Sequence, residues 1–278
     1  MTQIVPTDRP PERAAQLLDD FKPALMGPGA HQLCPGCGEP VAVRALTEAI
    51  EALELTRRTM CVIGIGCYTA FSSAVDIEML QALHGRAPSL ATGLKRVRPD
   101  GIVFTLQGDG DMVNEGLQEV IHAAARAERV TCVLLNNGVF GETGGHMTAT
   151  TVIGQRTKNT LEGRDPVAHG YPILLSDIIA GIQGSAFVGR GAVNSAGEVA
   201  RLGRMFRRAF ELQAAGAGFT FVEVLTMCPT GWFVDVPEGP GYLKDHLSPV
   251  HTIGVLKDTG PAPHHSVAAD NVGDGTGG

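Results

Sequence analysis

Four short apolar runs constrain this chain more than any other feature. They are TMCVIGIG (59–66), GIVFTLQG (101–108), VTCVLLNN (130–137) and FTFVEVLTM (219–227). None alternates apolar with polar residues, so each reads as a strand buried on both faces, the pattern of a parallel sheet covered by helices. Three helical patterns lie among them. PVAVRALTEAIEALEL (40–55) puts Val43, Leu46, Ala49, Ile50 and Leu53 on one face. NEGLQEVIHAAARA (114–127) is the second. NSAGEVARLGRMFRRAFELQAA (194–215) is the third, and Ser195 and Glu198 at its start have the spacing of a capping box. Strand–helix alternation predicts one doubly wound, mainly parallel α/β domain. Its expected extent is residues 27–258, between an N-terminal extension (1–26) and a Gly/Pro/Ala-rich tail (259–278) whose composition predicts disorder.

The net charge is −7 and no basic run occurs, which argues against nucleic acid or an anionic membrane as a partner. The first residues are polar and Pro-rich, unlike a signal peptide. The longest apolar stretch, near residues 61–67, is too short to span a bilayer. A cytoplasmic location is therefore expected, and there six cysteines point to metal or catalysis rather than to disulfides.

Ligands of doubly wound sheets sit at the carboxyl ends of the strands, and three such ends carry chemistry. In LQGDGDMVNEG, Gly108 and Gly110 allow backbone to approach a ligand closely, and a helix beginning near Asn114 favours an anion. Asp109 and Asp111 would repel a bare phosphate, so the combination suggests a phosphate bridged by Mg²⁺. In VLLNNGVFGETGGH, Asn137 lies 28 residues after Asp109, about one helix and one strand. An amide oxygen and a free carbonyl are hard ligands for Mg²⁺. Taken alone, each segment reads equally well as a Gly-Asp or an Asn-Gly turn.

The third end carries sulfur. Cys67 ends the first apolar run and Cys228 the last, while Cys34 and Cys37 share the loop CPGCG. Cys61 and Cys132 lie inside strand patterns, where core packing is expected. Four thiolates suit a [4Fe–4S] cluster or a structural zinc. A redox Cys-x-x-Cys is less attractive, because no thioredoxin-like pattern surrounds it.

The GDG…NN pair resembles the metal and diphosphate motif of thiamine diphosphate enzymes. That resemblance implies that Asp109, Asn137 and the carbonyl of Val139 hold Mg²⁺. More specifically, CPGCG, GIGC, HGRAPSLATGLK, GDGD, NN, TGG and CPTGW, in this order, resemble the beta subunit of 2-oxoacid:ferredoxin oxidoreductases. SPVHTIGVLKD adds a likeness to the 2-oxoglutarate and branched-chain members. The resemblance covers residues 27–258. It implies a [4Fe–4S] cluster on Cys34, Cys37, Cys67 and Cys228. It places Gly66, Gly85, Gly108, Gly110, Asp111 and the loop Thr143-Gly144-Gly145 around thiamine diphosphate, with His84 and Arg86 in catalytic positions.

By the same resemblance the reaction is the coenzyme A-dependent oxidative decarboxylation of a 2-oxoacid to acyl-CoA and CO₂, or its reverse, with electrons leaving to ferredoxin. No Glu that would activate the aminopyrimidine emerges from these motifs. In the family the partner alpha subunit supplies it, along with coenzyme A-binding residues. A ferredoxin-like gamma or delta subunit, or a fused domain, completes the electron exit. Several relatives carry Ser-Ser and then a base after the third cysteine, whereas this chain reads CYTAF, with Ala70 at the basic position. That departure favours an apolar or aromatic 2-oxoacid over 2-oxoglutarate. Two competing readings are a non-oxidative thiamine enzyme with zinc on the thiols and a four-cysteine structural or electron-carrying module. The second leaves the Asp109–Asn137 spacing unexplained.

Overall fold

The computed structural model describes residues 23–26 and 31–260. Nearly all of the expected N-terminal extension and tail lies outside the described residues. In chain order the elements begin with α1 (Glu39–Ala52), β1 (Thr59–Ile63), β2 (Glu78–Gln81), α2 (Ala87–Val97) and β3 (Ile102–Gly108). Next come α3 (Leu117–Ala125), β4 (Thr131–Asn136), and the small pair β5 (Val139–Phe140) and β6 (His146–Met147). The remainder is α4 (Pro166–His169), α5 (Leu175–Gly181), β7 (Ser185–Ala192), α6 (Ala196–Ala214), β8 (Phe219–Leu225), α7 (Pro229–Trp232), α8 (Gly239–Tyr242) and β9 (Gly254–Asp258).

Seven strands form one sheet in the order β2-β1-β3-β4-β8-β7-β9. All its pairings are parallel except β9 on β7. The registers run Thr59–Ile102 to Ile63–Leu106, Phe104–Thr131 to Gly108–Leu135, and Thr131–Thr220 to Asn136–Leu225. Parallel pairing without large slips brings the carboxyl ends of β1, β3, β4 and β8 to one edge of the sheet. These four are the strands expected from the apolar runs, and all four are buried along their length.

Helices cover both faces. On one, Leu46, Ile50, Phe206 and Phe210 of α1 and α6 pack on Ile63, Phe104, Leu135 and Val224. On the other, Ala91, Val120, Ala124 and Ile179 of α2, α3 and α5 pack on Val62, Val103, Leu134 and Phe221. The two strand cysteines divide between these layers: Cys61 faces the first and Cys132 the second, each fully buried. Among the described residues, no helix is long and apolar enough to cross a membrane.

Three departures from the sequence reading have physical causes. The helix expected over 114–127 is divided. A wide helical turn over Gly110–Glu115 ends at Gly116, and α3 starts afresh at Leu117. Gly116 packs on Gly85 so closely that a Cβ there would lie 2.5 Å from the Gly85 carbonyl oxygen. The capping box is half made: the Ser195 hydroxyl accepts from the Glu198 amide at 3.3 Å, while the Glu198 carboxylate pairs with Arg201. Strand β7 is buried throughout yet carries Gly189, Arg190 and Gly191, which break its apolar run.

Candidate active site at the strand ends

Asp109 follows β3 directly and is 1 % exposed. Its Oδ2 accepts from the hydroxyls of Thr148 and Thr150, each at 2.6 Å. Burial raises its pKa to about 6, although the two threonines and neighbouring backbone N–H groups pull it down. Asn136 and Asn137 follow from β4. The Asn136 Oδ1 accepts from the Gly138 amide and the Asn137 Oδ1 from the Val139 amide, both at 3.0 Å, so the turn holds itself. Asp109, Asn137 and Val139 line one cleft of about 660 Å³. Gly110 must lack a side chain there, since a Cβ would sit 2.1 Å from the Phe140 ring.

Asp111 has a different place from Asp109. Its Oδ1 accepts from the Gly85 amide at 2.7 Å and stands 3.1 Å from His84 Nδ1. Its Oδ2 accepts from Gln107 Nε2 and lies beside the Tyr68 hydroxyl, both at 2.9 Å. Both carboxylate oxygens are thus engaged within the protein, and the residue ties the loops after β1, β2 and β3 together. His84 lines the cleft through this contact. Arg86 does not line it; its guanidinium pairs with Glu119 of α3 at 2.7 Å. Thr143 reaches the cleft wall. Gly144 and Gly145 turn the loop with φ of 97° and 88°, and Gly145 rests on the backbone of Gly231.

Cys34, Cys37, Cys67 and Cys228 line a second, adjoining hollow. All six cysteines are free thiols. Burial, with Glu39 next in order, pushes Cys37 and Cys67 well above the ordinary thiol range. Burial raises Cys228 to about 12. As placed, among the described residues, no three His, Cys, Asp or Glu side chains converge closely enough to hold a metal ion. The four sulfurs are spread around their hollow.

The two hollows share a wall made of Glu39, Gly66, Cys67, Asn137, Gly141 and Glu142. Its two carboxylates, Glu39 and Glu142, belong to none of the sequence motifs. Glu39 opens α1, two residues after Cys37, and is 3 % exposed. Among the described residues its Oε2 has no hydrogen-bond partner, and burial, then Asp109 and Glu142, raise its pKa to about 8. The signal was present in CPGCGEP as a charge at the start of an amphipathic helix, but nothing in the spacing said that it faced inward. Among the described residues, no Lys or Arg lines either hollow. That lining is therefore acidic, and a bound cation would offset its charge for an anion.

Residues 64–224 match the family described as thiamine pyrophosphate enzyme, C-terminal TPP binding domain. That places the parallel sheet and its strand-end cleft in the class of thiamine diphosphate-binding folds. Over 231 residues the chain is 34% identical to the ketoisovalerate oxidoreductase subunit VorA of Methanothermobacter thermautotrophicus, covering 83% of this chain and 48% of that one. It is 33% identical over 214 residues to the 2-oxoglutarate synthase subunit KorB of Archaeoglobus fulgidus, covering 77% and 76%. The chain is thus one of the beta-subunit family of 2-oxoacid oxidoreductases. It spans about half the length of the ketoisovalerate relative. In fold it is similar to a 2-oxoglutarate:ferredoxin oxidoreductase from Magnetococcus marinus solved with 2-oxoglutarate, coenzyme A and succinyl-CoA bound. That likeness has a TM-score of 0.71 at 24% identity, over 88% of this chain and 87% of that one.

Proposed function

We propose that this chain is the cofactor-bearing half of a cytoplasmic 2-oxoacid:ferredoxin oxidoreductase, with residues 27–258 as its working domain. The carrying observation is the shared wall: a hollow lined by four free thiols adjoins the cleft of Asp109 and Asn137. The donor sets fit the expected groups. The cleft offers carboxylate, amide and carbonyl oxygens, which suit Mg²⁺. The hollow offers four free thiols, the ligands that a [4Fe–4S] cluster takes. Thiamine diphosphate would supply a nucleophilic carbon and an electron sink for loss of CO₂, and a [4Fe–4S] cluster a one-electron acceptor.

In this proposal Asp109, Asn137 and the Val139 carbonyl hold Mg²⁺ against the diphosphate, with Gly108 and Gly110 leaving room for it. Thr148 and Thr150 orient Asp109 by donating to Oδ2. Asp111 aims His84 toward the cleft while holding the Gly85 amide. Glu39 holds a proton on its unpartnered carboxyl between the two hollows. Cys34, Cys37, Cys67 and Cys228 ligate the cluster, and binding there must release their protons. The partner alpha subunit supplies the activating Glu and residues for coenzyme A, and the electrons pass to ferredoxin, directly or through a ferredoxin-like subunit or domain.

The substrate follows from charge. Ala70 lines the thiol hollow, Glu142 stands in the wall, and among the described residues no Lys or Arg lines either hollow. A 2-oxoacid with an uncharged side chain fits this better than 2-oxoglutarate, whose second carboxylate would be desolvated without a partner. The test is to co-express the chain with its partner and measure coenzyme A-dependent ferredoxin reduction with 2-oxoacids, alongside iron content and Mg²⁺-dependent binding of thiamine diphosphate. Asp109→Asn should lose cofactor binding while keeping the iron. Iron-free protein that carries zinc would reject the oxidative reaction.

A further inference from the structure

A buried polar chain runs behind the Asp109–Asn137 cleft. Glu223 on β8 is fully buried, and its Oε1 accepts from Asn136 Nδ2 at 2.7 Å. Its Oε2 accepts from Arg190 Nε at 2.8 Å and from the Ser176 hydroxyl. Only a donor can face the carboxylate so closely, so Glu223 fixes which end of the Asn136 amide points to it. The opposite end, Oδ1, then takes the Gly138 amide and lies 3.1 Å from the Thr150 hydroxyl, which donates to Asp109. His251 donates from Nε2 to the Thr150 carbonyl at 3.1 Å and fixes that residue's backbone.

The pair is charged. Burial pushes Glu223 up, but Arg190, then His251, Ser176 and Asn136, outweigh it and hold the carboxyl below its ordinary range. Arg190 is itself 1 % exposed and reaches outward to Asp177 at 2.7 Å. Neither Glu223 nor Arg190 lines the cleft. An ion pair buried this deeply is weak evidence for stability, and well-packed apolar residues of similar volume often serve as well or better. Its connections instead lead to the two strand ends that carry Asp109 and Asn137.

We propose that the Glu223–Arg190 pair is a positioning device for the cation site, acting through Asn136 and Thr150 on Asp109 and on the turn of Asn137; this rests on the proposed binding of Mg²⁺ by those residues. Partners behind metal ligands tune affinity by about tenfold or more. The experiment reads Mn²⁺, the probe in place of Mg²⁺, by its electron paramagnetic resonance signal in the purified enzyme with thiamine diphosphate present. Glu223→Gln should weaken Mn²⁺ binding about tenfold, and saturating Mn²⁺ should restore wild-type affinity for thiamine diphosphate. Arg190→Met with Glu223→Leu keeps the site packed without leaving a lone buried charge and should show the same loss. Wild-type Mn²⁺ affinity in either folded Glu223 variant, with Asp109→Asn defective, overturns the positioning role alone. Wild-type affinity in Asp109→Asn overturns the cation site itself.

Discussion

The indole N–H of Trp232 donates to the backbone carbonyl of Asn137 at 2.7 Å, joining residues 95 positions apart. Trp232 lies in α7, the turn that follows Cys228, and stacks on Tyr242 with ring centroids 4.6 Å apart. One hydrogen bond therefore ties the segment of Cys228 to the turn of the Asp109–Asn137 cleft. Trp232→Phe should keep the stacking and lose the donor. An unpaired buried carbonyl costs about 1–3 kcal/mol, so the melting temperature should fall by roughly 2–4 °C for each kcal/mol. Affinity for thiamine diphosphate should fall with it. A variant with unchanged melting and unchanged affinity would show that the bond carries nothing.

The cysteines divide by position. Single Ser replacements of Cys34, Cys37, Cys67 and Cys228 should each lower iron content, brown colour and electron transfer. The same change at Cys61 or Cys132 should leave iron in place and cost only stability, because it puts a hydroxyl into a packed layer. Iron analysis across the six variants decides it. An empty cluster in Cys61→Ser beside a full one in Cys228→Ser would overturn the ligand set.

Substrate choice should respond to Ala70. The assembled enzyme should have a higher kcat/KM for 2-oxoisovalerate than for 2-oxoglutarate, since Ala70 and the acidic wall offer no partner for a second carboxylate. Ala70→Lys should raise kcat/KM for 2-oxoglutarate by about tenfold, the order of one charged hydrogen bond. Strong preference of the unaltered enzyme for 2-oxoglutarate would sink the assignment.

His251 makes acid stability testable. It is 1 % exposed, and burial lowers its pKa more than Glu223 on β8 raises it; Arg190 on β7 and Asp177 on α5 face it as well, with the Thr150 carbonyl. A histidine held neutral in the folded protein takes up a proton first in the unfolded chain. Its contribution is therefore present above about pH 6.5 and is lost as pH falls toward the lower folded value. Between about pH 7 and about pH 5, the wild type should lose more stability than His251→Gln, whose side chain can still donate to Thr150. Glu39 and Asp109 titrate in both proteins and cancel in the difference. Parallel melting curves would mean that the folded ring is charged.

The parts of the fold legible in the sequence are those where burial is uniform. Strands β1, β3, β4 and β8 are sandwiched between helix layers, so their runs are mainly apolar, with Thr105 and Gln107 in β3 and Thr220 and Glu223 in β8 as buried polar interruptions. Strand β7 is equally buried, but Arg190 serves the ion pair with Glu223 and two glycines flank it, so its pattern dissolves. Strands β2 and β9 are partly exposed edges whose apolar residues come only two at a time, Met79–Leu80 and Val255–Leu256. Within the site, glycines and ligand-type residues at strand ends announce themselves by chemistry. Glu39 and Thr150 do not, because their inward direction is decided by contacts with distant segments. Glu223 was visible as the one charge in FTFVEVLTM, a signal that pointed to a buried partner without saying which.

Among the described residues six face both hollows, and that makes the two sites pleiotropic. A substitution at Glu39, Gly66, Cys67, Asn137, Gly141 or Glu142 reshapes the surroundings of the thiols and of the diphosphate cleft together. Divergence of one property at a time is left to residues with a single outlook. Tyr68 and Phe140 look only onto the cleft, and Ala70 and Thr230 only onto the thiols. Substitutions at those four positions therefore alter the surroundings of one hollow at a time.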